Sequence, residues 1–400
     1  MWDINGFQSA ISNQLELYLH KLRQLVEMES PSGDKVRLDQ LSQVIADEWS
    51  ELGMTVSVQN QAESGNHLLI RWDPSGVDLQ LQPWLVVGHF DTVWPVGTLE
   101  KMPFRQDSHV IYGPGTYDMK ADLVMAWLTV FEMQKSGIKP SRPVVFLWTT
   151  DEEVGSTTSR ELIESQARQA YAALVLEPPL ANGALKTARK GVGCYRLEVQ
   201  GRSAHAGVEP EKGRSAIVEL AHQILMIQSL ARPDLGTTLN LGQIGGGTAN
   251  NVVAESAWAE VDARVSTMEE AERLDDEMQS KLKPVNPDIV LTISGGLNRP
   301  PMVRTLETVR LFETAKEIAG RLGVNLIEGA TGGGSDGNFT SAVGCPTLDG
   351  LGLEGAGAHA PHEQIDLRSV PFRATLLAGM LSEVAGIEST IELQYLKKRS

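Results

Sequence analysis

Five short polar stretches of this chain, at the ends of predicted strands or in loops, carry histidine or carboxylate side chains. They are "GHFDT" (88–92), "GPGTYDMK" (113–120), "TTDEEVGS" (149–156), "LEPP" (176–179) and "GAHAPHEQ" (357–364). Taken singly, each has an ordinary explanation. A histidine after a strand is usually hydrogen-bonded scaffold. An aspartate after Gly-Pro-Gly is usually a turn residue or helix cap. Consecutive acids favour a helix N-terminus. Taken together they supply His89, Asp91, Asp118, Glu152, Glu153, Glu177 and His359 or His362. Converging carboxylates repel unless a cation sits among them. Imidazole and carboxylate without thiolate suit Zn²⁺ or a similar divalent ion. Two such ions, about 3.5–4 Å apart, clamp a water and a carbonyl oxygen. That arrangement needs a bridging carboxylate, terminal ligands on each side and a spare carboxylate to move protons. The five stretches contain all of these.

The elements that would carry these residues read as α/β. "LYLHKLRQLVEME" and "VRLDQLSQVIADEWSELG" have helical periodicity, the second stopped by Gly53. "TVSVQ", "HLLIRW" and "WLVVGHF" read as strands, and "LVMAWLTVFEMQKSG" as a helix ended by Gly137. "PVVFLWTT" and "AALVLE" are the nearly continuous apolar runs of strands buried on both faces. In an open sheet of this kind the carboxyl ends of the strands form the binding crevice, and "GHFDT", "TTDEEVGS" and "LEPP" all follow such strands. The pattern then changes. Between residues 187 and 298 the order is strand, helix, strand, strand, helix, strand, the ferredoxin-like βαββαβ unit. After it the α/β reading resumes with a helix over "VRTLETVRLFETAKEIAGRLG", strands at "VNLIEG" and "TLDGLGL", and a long helix from about residue 369. The reading is a discontinuous catalytic domain (1–186 and 299–400) with a second domain inserted (187–298).

Four hundred residues are ample for two cores. A net charge of −16 argues against a nucleic-acid partner. The two cysteines, Cys194 and Cys345, make neither a disulfide framework nor a CxxC site. A reducing cytoplasm is therefore the expected setting. No stretch reads as a secretion signal or a membrane span.

The joint set of His-x-Asp after a strand, Gly-Pro-Gly-x-x-Asp, Asp-Glu-Glu-x-Gly-Ser, Leu-Glu-Pro and a late histidine resembles a family. It is that of the dinuclear zinc metallopeptidases, which includes glutamate carboxypeptidase, aminoacylase, acetylornithine deacetylase and succinyl-diaminopimelate desuccinylase. The resemblance covers nearly the whole chain. It implies a zinc-peptidase-like catalytic domain, with the inserted domain serving as lid and dimerisation unit. It implies two Zn²⁺ per chain, with Co²⁺ or Mn²⁺ as substitutes. His89, Asp118, Glu153, Glu177 and His359 are then metal ligands, with Asp118 bridging and Glu153 and Glu177 on opposite ions. Asp91 tunes His89 from behind, and Glu152 is the general base. The peptide after Asp118 is expected to be cis. The family's late motif is a histidine, a short variable stretch and a glutamate, which fits His359 followed by Glu363. His362 is the runner-up.

The resemblance extends to the inserted domain. "GRSAHAGVEP" supplies His205, which in the family stabilises the oxyanion, often from the neighbouring subunit of a dimer. Otherwise His205 is a plain loop histidine. "GGGTANNVV" and "VDARV" supply Asn251 and Arg264, a pair that in glutamate carboxypeptidase-like members contacts substrate, the arginine gripping the α-carboxylate. Otherwise these are a turn residue and a surface strand residue. "TGGGSDG" (331–337) resembles a glycine-rich substrate loop. With "TARKGVG" and "HAGVEPEKGRSA", these stretches are most similar to glutamate carboxypeptidase. The implied activity is release of a C-terminal amino acid, glutamate first, from N-acyl, peptidyl or pteroyl substrates. The implied assembly is a homodimer through the inserted domain. N-acyl-amino-acid deacetylation is the alternative. Two remoter readings are a serine hydrolase built on Ser335 in "GGSDG", with Asp349 and His359 following, and a binding protein on this scaffold without catalysis.

Overall fold

The computed structural model describes residues 2–383. The chain divides into two compact units. One comprises Met1–Ala188, Arg304–Thr331 and Ser335–Ser400, and the other Arg189–Val303 with Gly332–Gly334.

The first unit is built on a six-stranded sheet. Its order is Thr55–Gln59, His67–Trp72, Val144–Thr149, Trp84–His89, Ala172–Val175 and Thr347–Leu348. The first three are joined by antiparallel pairings. From Val144–Thr149 onward every pairing is parallel. The parallel strands therefore deliver His89, the 150–153 segment, the 176–177 segment and Asp349 to one edge. Their apolar runs follow from burial on both faces. Val86, Phe146 and Trp148 enter one core with Trp49 and the helices Lys35–Glu51, Ala121–Lys135 and Ser369–Ser382. Leu85, Val87, Val145 and Leu147 enter another with Ile163 and Phe339. Aromatic packing is dense at the first, where the Trp49 and Phe146 ring centroids lie 4.6 Å apart.

A second, small sheet is absent from the sequence reading. Its order is Gly355–Ala356, Gln364–Asp366, Val110–Tyr112 and Arg105–Asp107. These strands are two or three residues long, too short for a period-2 signal to stand out. They pair Gln364 with Tyr112 and Ile365 with Ile111, and so tie the base of the Asp118 loop to the residues that follow His359. Two other strands differ from expectation. "VNLIEG" becomes a strand only from Glu328, running to Thr331, and Val324 and Ile327 stay exposed. "TLDGLGL" keeps only Thr347–Leu348, because Gly350 turns at φ 80°.

The second unit has an antiparallel sheet ordered Thr238–Gly246, Ser256–Val265, Gly191–Gln200 and Val290–Arg299. With the helices Ala216–Leu230 and Met268–Lys281 it has the βαββαβ chain order. Along Gly191–Gln200 burial alternates strictly, so one face packs on the helices through Tyr195, Leu197 and Val199. Gly332–Gly334 is held within this unit by Arg189, whose Nη1 donates to the Gly333 and Gly334 carbonyls at 3.1 and 2.9 Å.

Candidate metal centre

The strand ending at His89 turns directly into Asp91, and the two side chains interlock. His89 Nδ1 lies 3.1 Å from the Asp91 carbonyl and 3.3 Å from Asp91 Oδ1. Both are acceptors, so Nδ1 carries a proton and Nε2 is turned the other way. There it meets Asp118 Oδ1 at 3.1 Å and Glu177 Oε1 at 3.6 Å. The other oxygen of Asp118, Oδ2, lies 3.3 Å from His359 Nε2, which is also 3.1 Å from Glu153 Oε2. Asp118 thus stands between two half-sites, His89 with Glu177 and His359 with Glu153. A Glu152 carboxylate oxygen falls within 4.8 Å of the ligand atoms of His89 and Glu177. His362 is exposed and lies outside this cluster.

Local structure explains each placement. The segment before Asp118 turns at Gly113 and Gly115, both at positive φ, and the Asp118–Met119 peptide is cis. Glu152 and Glu153 sit in a single 3₁₀ turn, Glu152–Val154. The backbone N–H groups of both donate to Asp91, at 3.3 and 3.2 Å. The first acid of the triplet, Asp151, plays a different part. It is buried and accepts from the backbone and hydroxyl of both Thr158 and Ser159, bracing the start of the next helix. His359 occupies the left-handed region at φ 59°, in the loop between Gly355–Ala356 and Gln364–Asp366. A non-glycine residue in that region costs of order 1–3 kcal/mol, and such strain concentrates at functional sites.

The electrostatics fit a cation. Burial alone would lower the His89 pKa, yet its hydrogen bonds to Asp118, Asp91 and Glu177 raise it well above the usual imidazole value. Hydrogen bonds that His359 donates to Asp118 and Glu153 push it up to about 10. Burial would raise Asp118, but the two imidazoles hold it far below the usual range. Burial raises Glu153, with the Asp118 charge adding to it and the His359 hydrogen bond opposing. The excess of carboxylates thus holds onto every proton the imidazoles can carry. Divalent ions at the same positions would replace those protons and supply more charge. The groups His89, Glu152 and Glu177, and His89, Asp118 and Glu153, could each hold a metal ion.

Several supporting residues were not given these roles by the sequence reading. Ser32 donates to Asp91 Oδ2 at 2.8 Å. Asp336 accepts from Thr149 and from Ser156, at 3.1 and 2.5 Å, fastening the far side of the Glu152–Glu153 segment. Glu363 accepts from the backbone of Gly115, Tyr117 and Asp118. Only its place after His359 pointed to it.

The serine-hydrolase reading fails on geometry. Ser335 is fully buried, and its Oγ donates directly to Asp349 Oδ2 at 2.7 Å. No imidazole stands between them, and His359 faces Asp118 and Glu153 instead.

In the second unit His205 and Asn251 lie in adjoining exposed loops, with the Ala206 N–H donating to the Asn251 carbonyl at 2.9 Å. Arg264 is half-buried. Its Nε and Nη2 both donate to Asp262 at 2.7 Å, and Nη1 reaches the Gly332 carbonyl at 3.2 Å. The guanidinium fork expected to grip a substrate is thus occupied by a neighbouring carboxylate.

The chain is similar to known proteins over most of its length. The chain is 28% identical over 390 residues to carboxypeptidase G2 of Pseudomonas sp. strain RS-16, covering 94% of this chain and 91% of that one. It is 27% identical over 399 residues to acetylornithine deacetylase of Erwinia tasmaniensis, covering 93% and 97%. Its fold matches a tripeptidase from Staphylococcus aureus with a TM-score of 0.79 at 22% identity, over 93% of this chain and 98% of that one. Residues 85–383 match the model of peptidase family M20/M25/M40. The chain belongs to that family, and is an enzyme of its metallopeptidase and amidohydrolase class.

Proposed function

We propose that this enzyme cleaves an amide bond beside a carboxylate-bearing amino acid, releasing a C-terminal residue, glutamate foremost, from N-acyl, peptidyl or pteroyl precursors. The observation that carries the reading is the division of Asp118, one oxygen toward His89 and the other toward His359. In this reading His89 and Glu177 would hold one Zn²⁺ ion, and His359 and Glu153 another, with Asp118 available to both. Bound there, they would supply Lewis acidity toward a water and the scissile carbonyl.

The chain's own groups do the rest. Asp91 fixes the His89 tautomer and, through the Glu152 N–H, the stem of the base. Glu152 takes the proton of the attacking water and passes it to the leaving nitrogen. Its adjacency to Glu153 follows from that division of work, one carboxylate holding the cation and the next moving a proton. His205 is assigned the oxyanion donor, and Asn251 with Arg264 the substrate carboxylate. For Arg264 this means exchanging Asp262 for the substrate, a swap between two carboxylates of the same shape.

The inserted unit is read as lid and dimer interface. In support, Ile244 on the edge strand Thr238–Gly246 is exposed, as are Leu225 and Met226 on the helix Ala216–Leu230. No helix among the described residues is long and apolar enough to cross a membrane.

Deacetylation of N-acyl amino acids is the second reading, favoured by the near-equal identity to acetylornithine deacetylase over 93% of the chain. One experiment separates the two. Amino-acid release is measured from N-acyl-glutamates, a pteroyl-glutamate, N-acetylornithine and dipeptides, each with zinc and with chelator. Chelator-sensitive release of glutamate supports the first reading. Turnover of acetylornithine alone selects the second. No turnover by protein shown to hold metal points to a binding protein.

A further inference from the structure

We infer that Glu363 is a positioning residue that locks two segments of the proposed metal centre, those carrying Asp118 and His359, into one unit. The assignment rests on the reading of Asp118 and His359 as ligands. Glu363 is almost fully buried, and among the described residues no cation hydrogen-bonds to it. Four N–H groups converge on it instead. Oε1 accepts from Tyr117 N at 2.8 Å and Asp118 N at 3.1 Å. Oε2 accepts from Gly115 N at 2.9 Å and the Trp94 indole at 2.7 Å. Three of these donors belong to the loop that ends in Asp118. Glu363 itself closes the loop that carries His359, four residues upstream. One carboxylate thus joins the element presenting Asp118 to the element presenting His359.

The chemistry of the clamp is specific. All four partners are donors, so the group must be an ionised carboxylate to accept from every one. Glutamine would turn an NH₂ toward N–H groups on one side and lose those bonds. Asp118 is shared by both half-sites, so a shift in its backbone alters both. His359 is exposed and held in left-handed backbone, and depends on its loop being anchored nearby. Groups that orient ligands from behind are worth about 10–100-fold in metal affinity.

Glu29 provides the comparison. It also clamps a loop through backbone N–H groups, those of Gly97 and Leu99, at 2.9 and 3.0 Å, but that loop bears no ligand. The test is zinc titration of the metal-free full chain against a chromophoric chelator, with bound zinc counted by mass spectrometry and melting temperature recorded without metal. Wild-type protein should bind two equivalents. Glu363→Gln should bind at least one equivalent about 10–100-fold more weakly, and Glu363→Asp should regain part of the loss. Glu29→Gln should lower the melting temperature with zinc affinity unchanged. If Glu363→Gln does not fold, Glu363→Asp against wild type decides by the same readout. Wild-type zinc affinity in both Glu363 variants overturns the assignment, as does an equal loss in Glu29→Gln. Failure of the wild type to bind zinc would instead overturn the metal reading itself.

Discussion

The carboxylate of Asp91 accepts the backbone N–H of Glu153 at 3.2 Å. This bond links the end of one parallel strand to the turn that follows its neighbour. Asp91 also holds His89 and accepts from the Glu152 N–H and Ser32. Its charge therefore aligns His89 with the Glu152–Glu153 turn, through donors from separate loops.

Replacing Asp91 with asparagine tests this double use. The amide can accept through one oxygen only, so either Glu152 N–H and the imidazole, which keeps the Asp91 carbonyl, or Glu153 N–H and Ser32 lose the side-chain acceptor. The expected result is a kcat loss of about 10–100-fold with zinc affinity reduced by a similar factor. Steady-state kinetics beside a zinc titration measure both. A variant with normal kcat and normal zinc affinity would remove Asp91 from the machinery.

The strand ends that gather His89 and the Glu152–Glu153 turn were legible because buried parallel strands write long apolar runs, and polar residues just past "WLVVGH" and "PVVFLWT" have few other reasons to cluster. The pairing of loops was not legible. Gln364–Asp366 and Val110–Tyr112 are three-residue strands joined by partners some 250 positions apart, and nothing local in either announces the other. The separate fates of Asp151, Glu152 and Glu153 were only partly readable. That a cation would divide the labour of the two glutamates is an expectation from chemistry. That Asp151 turns inward to Thr158 and Ser159 depends on the path of the following helix. The occupation of Arg264 by Asp262 lay in plain view at a spacing of two, since same-face neighbours on a strand recur at that period.

Glu152 and Glu153 should separate cleanly on mutation. Glu152→Ala removes the proton carrier and leaves the His89–Asp118–Glu177 and His359–Glu153 groups in place. Turnover should fall by about 10²–10⁴-fold, with bound zinc retained. Glu153→Ala deletes the carboxylate nearest His359 and should lower zinc stoichiometry along with activity. Zinc counted in each purified variant, set against kcat, is the measurement. Loss of metal in Glu152→Ala with retention in Glu153→Ala would exchange the two roles.

The Arg264–Asp262 pair predicts a split in KM. Arg264→Ala should raise KM for carboxylate-bearing substrates by about tenfold or more, the scale of a lost charge-assisted hydrogen bond at about 1.5–3 kcal/mol. Asp262→Asn removes the competing carboxylate, so KM should stay level or fall. If Arg264 serves only to brace Asp262 and Gly332, both variants will lower the melting temperature and leave KM alone.

The pH dependence follows from the imidazoles. His359, hydrogen-bonded to Asp118 and Glu153, is raised from its ordinary 6.5 to about 10 in the folded chain. A raised pKa contributes stability that is complete below the unfolded value and disappears as pH climbs through the folded one. Metal-free protein should therefore lose melting temperature progressively between about pH 6.5 and pH 10. Asp118, held below its ordinary 3.8, acts in the opposite sense: its contribution is present above that value and lost as pH falls beneath it. Zinc binding requires both imidazoles to give up a proton, so affinity should rise with pH across the same window, with protons released on binding. Calorimetric zinc titrations at pH 6, 7, 8 and 9, in buffers of differing ionisation enthalpy, count those protons. Proton release near zero at pH 7 would mean that neither imidazole is held protonated by the acids around Asp118, and the ion-pair account of the metal-free centre would fall.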